Sequence, residues 1–383
     1  MTVYLDNAAT TPVRPEVLAA MLPYLTSEFG NPSSHHEVGE AAARAVDDAR
    51  RRVAAVLGMR AGDVVFTSGG TEANNLAVKG ISVAAMMARG ARHLITTPIE
   101  HESVLGSADH LRRVHGFEVT LLPVDGGGRV DPAELAAAVR PDTALASVGY
   151  ANNEVGTVQD AAGLAAAAAD VPLHLDAVQA AGWLPLAGTG ADAISIAGHK
   201  LGAPKGTGVL AVRGRVPLEP LLHGGGQERG RRSGTENVAG AVAVAVALEL
   251  AEAERAAESA RVAAVRDEVV ARVLEAVPTA RLTGDPAHRL PGTASFTFAG
   301  TSGEAVLLEL ERRGITSSSG SACAAGSDEP SHVLVAMGVP ADTARTAVRL
   351  TFGHGPVDAA SVAAAVAAAV SAVHPVSGQA PRP

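Results

Sequence analysis

The stretch Asp192-Ala-Ile-Ser-Ile-Ala-Gly-His-Lys-Leu201 reads as an apolar strand that runs straight into Gly198-His199-Lys200. Among 31 basic residues only Lys79, Lys200 and Lys205 are lysines; the rest are arginines. Chemistry that needs a deprotonatable amine therefore has three places to happen, because a guanidinium stays protonated and cannot condense with an aldehyde. Lys79 falls in the helix-like run Glu72-Ala-Asn-Asn-Leu-Ala-Val-Lys-Gly80, and Lys205 lies between Pro204 and Gly206 in a loop. Only Lys200 leaves the end of a buried strand, where open α/β sheets place their ligands.

Upstream, a second apolar strand, Val171-Pro-Leu-His-Leu175, ends in Asp176-Ala-Val-Gln179. The order strand, acid, strand, lysine suits pyridoxal phosphate, whose ring nitrogen needs a carboxylate and whose aldehyde needs an amine. Taken singly, Asp176 reads as a helix cap and Lys200 as a surface residue. Together, and with the glycine-rich and histidine-bearing stretches around them, they outweigh those readings.

Working outward, Asp63-Val-Val-Phe-Thr-Ser68 is a strand that breaks at Gly69-Gly70, and Thr71-Glu72 opens a helix. That turn is a ready anion site, since free backbone N–H groups and the helix dipole face one point. Arg92 to Thr97 is the next strand, and Glu100-His101 begins the helix after it, so His101 falls on the ligand side of the sheet. His93, His110 and His115 read as capping or core residues. Further strands are expected at Phe117 to Val124 and Thr143 to Val148. The polar loop Tyr150-Ala-Asn-Asn-Glu-Val-Gly156 follows, either an asparagine-stabilised turn or a ligand contact through Asn153.

Past Lys200, Gly206 to Val212 returns as a strand, and His223 to Thr235 is a glycine- and arginine-rich loop, either a disordered linker or a binding element. A long alanine-rich helix, Ala239 to Val277, bridges to a second domain with strand Ala294 to Phe298, helix Gly303 to Arg313, strand Ala347 to Phe352 and helix Pro356 to Val373. Cys323 sits between them in Ser317-Ser-Ser-Gly-Ser-Ala-Cys-Ala-Ala-Gly-Ser327, a surround of small residues better suited to a mobile thiol than to a core. Arg349 alone reads as a surface charge.

A chain of 383 residues can bury a large core, and one large and one small domain are expected. We place the large domain at 15–255 and the small one at 1–14 with 256–374, leaving 375–383 as a disordered tail. Hydrophobic residues are 47% and charged residues 19% of the chain, and no apolar run approaches the ~20 residues of a membrane span. The N-terminus lacks the pattern of a secretory signal. A net charge of -9 argues against a nucleic-acid surface. The single cysteine excludes an intrachain disulfide and a cysteine-rich metal site, and a reducing cytoplasm fits it best.

In this order the motifs resemble the cysteine desulfurases of the NifS/IscS type, in the class V aminotransferase group of fold type I pyridoxal-phosphate enzymes. The resemblance runs from Tyr4 to about Phe352. It rests on Leu5-Asp-Asn-Ala-Ala-Thr-Thr-Pro12, Phe66-Thr-Ser-Gly-Gly-Thr-Glu72, Glu100-His101, Asn152-Asn-Glu154, Asp176-Ala-Val-Gln179, Gly198-His-Lys200, Arg232-Ser-Gly-Thr235 and Ser318-Ser-Gly-Ser-Ala-Cys323. It implies an α/β fold, with a mostly parallel sheet of the seven-stranded type and a smaller α+β C-terminal domain. It also implies that Lys200 binds the cofactor aldehyde, Asp176 pairs with the ring nitrogen, His101 stacks on the ring and moves protons, and Gln179 bonds the ring oxygen. Gly70, Thr71 and His199 would hold the phosphate, with Thr235 reaching it from the second subunit of a homodimer. Asn153 and Arg349 would hold L-cysteine, and Cys323 would take its sulfur for an acceptor protein: an iron-sulfur scaffold, a tRNA-thiolation component or a sulfur carrier. Selenocysteine lyase chemistry and a non-catalytic sulfur-transfer scaffold are the competing readings. The sequence departs from the family at Ala197, where a serine usually supplies one phosphate hydrogen bond, so retention of the cofactor is expected to be weaker.

Overall fold

The computed structural model describes residues 2–320 and 329–373; Cys323 and the tail from 375 lie outside the described residues. Seven strands form the main sheet, in the spatial order Val64–Thr67, Gly208–Val212, Ala193–Ala197, Leu173–Asp176, Thr143–Gly149, His93–Thr96, Glu118–Leu121. Only Gly208–Val212 runs against its neighbours; the other pairs are parallel. Such a sheet is covered on both faces, which is why Ala193–Ala197, Leu173–Asp176 and Gly208–Val212 are buried at every position.

Two buried histidines serve as polar rungs inside this sheet. His174 spans three strands, with Nδ1 2.8 Å from Ser147 Oγ and Nε2 2.9 Å from Ser195 Oγ. His93 does the same with Thr143 and Thr120, both at 2.8 Å. Each ring has a partner on both nitrogens, so a group that would be costly to bury alone fixes strand register instead.

The chain passes from His93–Thr96 outward to the edge strand Glu118–Leu121 and returns to Thr143–Gly149. Connections leaving the two inner strands therefore diverge, and a crevice opens at their C-terminal ends. The register aligns Gly149 with Asp176 and Asp176 with Ser195, so several strands finish beside that crevice.

Helix Val238–Ala276, 39 residues long, links two hydrophobic cores. Its first turns, Val238 to Leu248, are buried all round, while Val262, Val269 and Val273 face a second core with Phe296, Phe298 and Leu350. There the antiparallel sheet Val348–Thr351, Thr293–Phe298, Ala280–Leu282 is accompanied by Val3–Tyr4 paired with Ile315–Thr316. The expected elements are present within a few residues of their bounds. Unforeseen were the strands Ala280–Leu282 and Ile315–Thr316 and the short helices Ala161–Ala168, His332–Ala336 and Ala341–Ala344. Among the described residues no helix is long and apolar enough to cross a membrane.

Candidate active site

A cavity of about 920 Å³ occupies the crevice at the strand ends. One wall is the turn after Val64–Thr67. Gly69 takes φ +153°, a conformation that side chains rarely tolerate, and a Cβ at Gly70 would lie 2.8 Å from Val178 Cγ2 and 3.2 Å from Ala197 Cβ. The glycine pair thus lets backbone approach the cavity floor, with Thr71 next to it on the lining.

Lys200 ends the short turn Gly198–Lys200 that follows Ala193–Ala197. Gly198 is required there, since a Cβ would meet Thr207 Oγ1 at 2.2 Å. The Lys200 ammonium donates to the carbonyl of Ala9 at 2.7 Å and to that of Ala8, which tethers it to the N-terminal segment. Burial, aided by the nearby Arg349 charge and opposed by Asp6 and Asp176, lowers its pKa to about 8. A neutral amine is therefore accessible close to neutral pH. Beside it, His199 bonds Thr10 Oγ1 at 3.2 Å, and burial with the Lys200 and Lys205 charges lowers its pKa to about 4, so its ring is neutral at pH 7.

Asp176, the last residue of its strand, accepts from the Val178 N–H at 3.0 Å and from Asn74 Nδ2 at 2.6 Å. Burial still raises its proton affinity, which marks a carboxylate that a cation inside the cavity would stabilise. His101 caps the helix Glu102–His115, its Nδ1 accepting from the Ser103 N–H at 3.0 Å. Gln179 lines the cavity and donates to the Ala8 carbonyl at 3.1 Å.

Arg349 corrects the surface-charge reading: it is 2% exposed, on the strand Val348–Thr351. Its Nη2 donates to Asp6 at 2.7 Å and its Nη1 to the Asn153 carbonyl at 2.8 Å, while Nε has no partner among the described residues. A guanidinium on a cavity wall suits an incoming carboxylate. The asparagine loop forms the expected turn beside the cavity. Asn152 Oδ1 accepts from the N–H groups of Glu154 and Val155, forming the turn, and Asn153 lines the cavity.

Gly70, Thr71, His101, Asn153, Asp176, Gln179, His199, Lys200 and Arg349, which the sequence had singled out, all line this one cavity. Thr235 is exposed and not part of the lining. Cys323 lies outside the described residues, but Gly320 and Glu329, the described residues on either side of it, both line the cavity. Sequence reading missed Asn74 and Ser103, as well as the buried acids Glu100 and Glu154. Asn74 had a usable signal, since a helix begun at Gly70 puts Thr71 and the residue three further on along one face. Glu100 sits inside a motif already singled out, and burial raises its pKa to about 7.

Fold and site define a class of protein: an α/β enzyme that brings one depressed-pKa amine and one buried carboxylate together at a sheet's C-terminal edge. The chain belongs to the aminotransferase class-V family, whose model matches residues 3–356. It is similar to "Cysteine desulfurase IscS" of Dictyoglomus turgidum, with 44% identity over 92% of this chain and 89% of that protein. Among solved structures it is similar to a "NifS-like protein" (TM-score 0.88, 35% identity, 97% of this chain and 99% of that one). It also resembles "SspA in complex with cysteine" (TM-score 0.80, 35% identity, 93% and 100%). The architecture is that of fold type I, with the seven-stranded, mostly parallel sheet and the smaller sheet beside it.

Proposed function

We propose that this chain is a pyridoxal-phosphate-dependent cysteine desulfurase that converts L-cysteine to L-alanine and keeps the sulfur as a persulfide on Cys323. The observation that carries the reading is the meeting of Lys200, Asp176 and Arg349 in one cavity. The residues fit the cofactor. A buried carboxylate short of a cation suits its ring nitrogen, the Gly70 cradle and neutral His199 suit its phosphate, and the Lys200 amine suits its aldehyde. Bound there, pyridoxal phosphate would supply the electron sink that makes the substrate Cα acidic.

The chain's own groups do the remaining work. Arg349 and Asn153 hold the amino acid, with the guanidinium on its carboxylate. The Lys200 amine takes the Cα proton. With the cofactor bound, His101 would face its ring and move protons, and Gln179 would bond the ring oxygen. Gly70, Thr71 and His199 would hold the phosphate, joined by Thr235 of a second copy in a homodimer. In the sulfur step the Cys323 thiolate attacks the sulfur of bound cysteine. A new S–S bond forms, the substrate Cβ–S bond breaks, and the carbon accepts the electron pair and a proton. The carbon is reduced and the sulfur oxidised, so no outside oxidant is needed. Gly320 and Glu329, on the cavity wall either side of Cys323, support this delivery.

We assign the cofactor site to a unit of residues 15–255 and the substrate arginine to a second unit, 1–14 with 256–374, a division the two separate cores support. The persulfide passes to an acceptor protein in the cytoplasm, either an iron-sulfur scaffold or a carrier serving thiolation. Borohydride reduction of the holoenzyme followed by peptide mapping tests the assignment. The cofactor should be fixed on Lys200 and lost in Lys200→Ala. Fixation on Lys79 or Lys205 would overturn it.

A further inference from the structure

Four side chains on the cavity wall form one unbroken hydrogen-bonded line. Asn74 Nδ2 donates one proton to Asp176 Oδ2 at 2.6 Å and the other to Ser103 Oγ at 2.9 Å. Ser103 Oγ lies 2.8 Å from His101 Nδ1, which also accepts from the Ser103 N–H at 3.0 Å. The middle of the line is withdrawn from water, with Asn74 1% exposed and Ser103 8%, whereas His101 at its end is exposed.

Proton bookkeeping leaves one arrangement. The reversed amide would set the Asn74 oxygen against an ionised Asp176, so both amide protons point outward along the line. Ser103 Oγ, already accepting from Asn74, has its own proton left to give, and His101 Nδ1 is the acceptor in reach. Nδ1 then carries no proton, and neutral His101 presents N–H at Nε2 as its free group. Asn74 Oδ1 is buried without a partner among the described residues.

We propose that Asn74 and Ser103 are positioning residues of the reaction, coupling the carboxylate of Asp176 to the tautomer and orientation of His101. The inference rests on the pyridoxal-phosphate reading above and deepens it. The two groups expected to flank the ring are not set independently, because Asn74 favours ionised Asp176 and, by orienting the Ser103 hydroxyl, adds to the hold that the Ser103 N–H has on His101 Nδ1.

Asn74→Ala, Asn74→Asp, Ser103→Ala, Ser103→Thr and the Asn74→Ala/Ser103→Ala double variant test this in the holoenzyme, with thermal melting as the control for folding. Asn74→Ala should lower kcat for alanine formation about tenfold with little change in KM, the size of a lost charged hydrogen bond. It should also move the acid limb of the pH profile upward, because Asp176 loses a donor. Asn74→Asp keeps the shape but faces Asp176 with a second acid, so it should fall furthest. Ser103→Thr keeps the hydroxyl and should keep activity. The double variant should be no worse than Asn74→Ala. A structural role would instead make Asn74→Asp the mildest change and leave the pH profile in place, and either result overturns the proposal, as would multiplying effects in the double variant. In the apo-protein, ¹⁵N spectra of His101, assigned by its loss in His101→Gln, should show the proton on Nε2; a proton on Nδ1 overturns the relay. That last readout needs no turnover, so an enzyme inactive on cysteine would sink the function and still leave the relay open to its own test.

Discussion

Lys200 acquires its reactivity from position alone. The same residue type at Lys205, in an exposed loop, has neither the burial nor the neighbouring Arg349 charge that bring Lys200 to a pKa of about 8. The free amine is the species that captures an aldehyde, so uptake of pyridoxal phosphate by the apo-protein should quicken as pH rises towards about 8 and level off above it. Stopped-flow absorbance across pH 6 to pH 10 checks this; a rise continuing to the ordinary lysine range of about 10 would show that the amine is not desolvated. At this scale the sequence was legible where a residue ends a strand. Lys200, Asp176 and His101 could be read because apolar runs stop just before them. Arg349 could be read only through the family resemblance, because it lies inside an apolar strand and its partners Asp6 and Asn153 are distant in sequence. Asn74 was hidden for a similar reason: its meaning lies in contacts with Ser103 and Asp176, on other elements.

The glycine- and arginine-rich loop is the element that most needed the structure. Composition left it as a linker or a binding element, yet it is tied down along its length. Glu228 and Arg229 hold positive φ values of 49° and 58°. The buried pair Arg50–Glu228 closes at 2.6 Å, Arg229 reaches the Val64 carbonyl at 2.6 Å, and Arg232 grips Glu72 at 2.8 Å. Those clamps hold the strained turn against the back of the strand that leads to Gly69 and Gly70. Removing one member of a buried ion pair strands the other, which costs about 3–5 kcal/mol. Glu228→Ala should therefore lower unfolding stability by about that amount in urea titrations. A loss under ~1 kcal/mol, the range of exposed pairs, would mean that the loop is not held this way. No local pattern announces an arginine as the partner of a glutamate 178 positions away.

Across the whole molecule, the site exists only because two cores meet. The main sheet supplies Lys200, Asp176 and the glycine turn, whereas Arg349 comes from the small sheet and bonds across to Asn153. Glu154, buried next to Asn153, accepts from Ser331, which caps the helix His332–Ala336 and so fixes the chain just beyond Glu329. The alternation of strands and helices made the fold class readable from the sequence. Strand order was not, because Val64–Thr67 pairs with Gly208–Val212 and only long-range packing decides such a partner. The central claim is that this assembly moves sulfur from cysteine to Cys323, and mass analysis of the peptide carrying Cys323 tests it most directly. Holoenzyme given L-cysteine without an acceptor should gain one sulfur atom on that peptide and release one alanine per chain in the first turnover, while Cys323→Ala binds the cofactor and forms neither. Undiminished alanine formation from cysteine in Cys323→Ala, with no sulfur on the wild-type peptide, would contradict it.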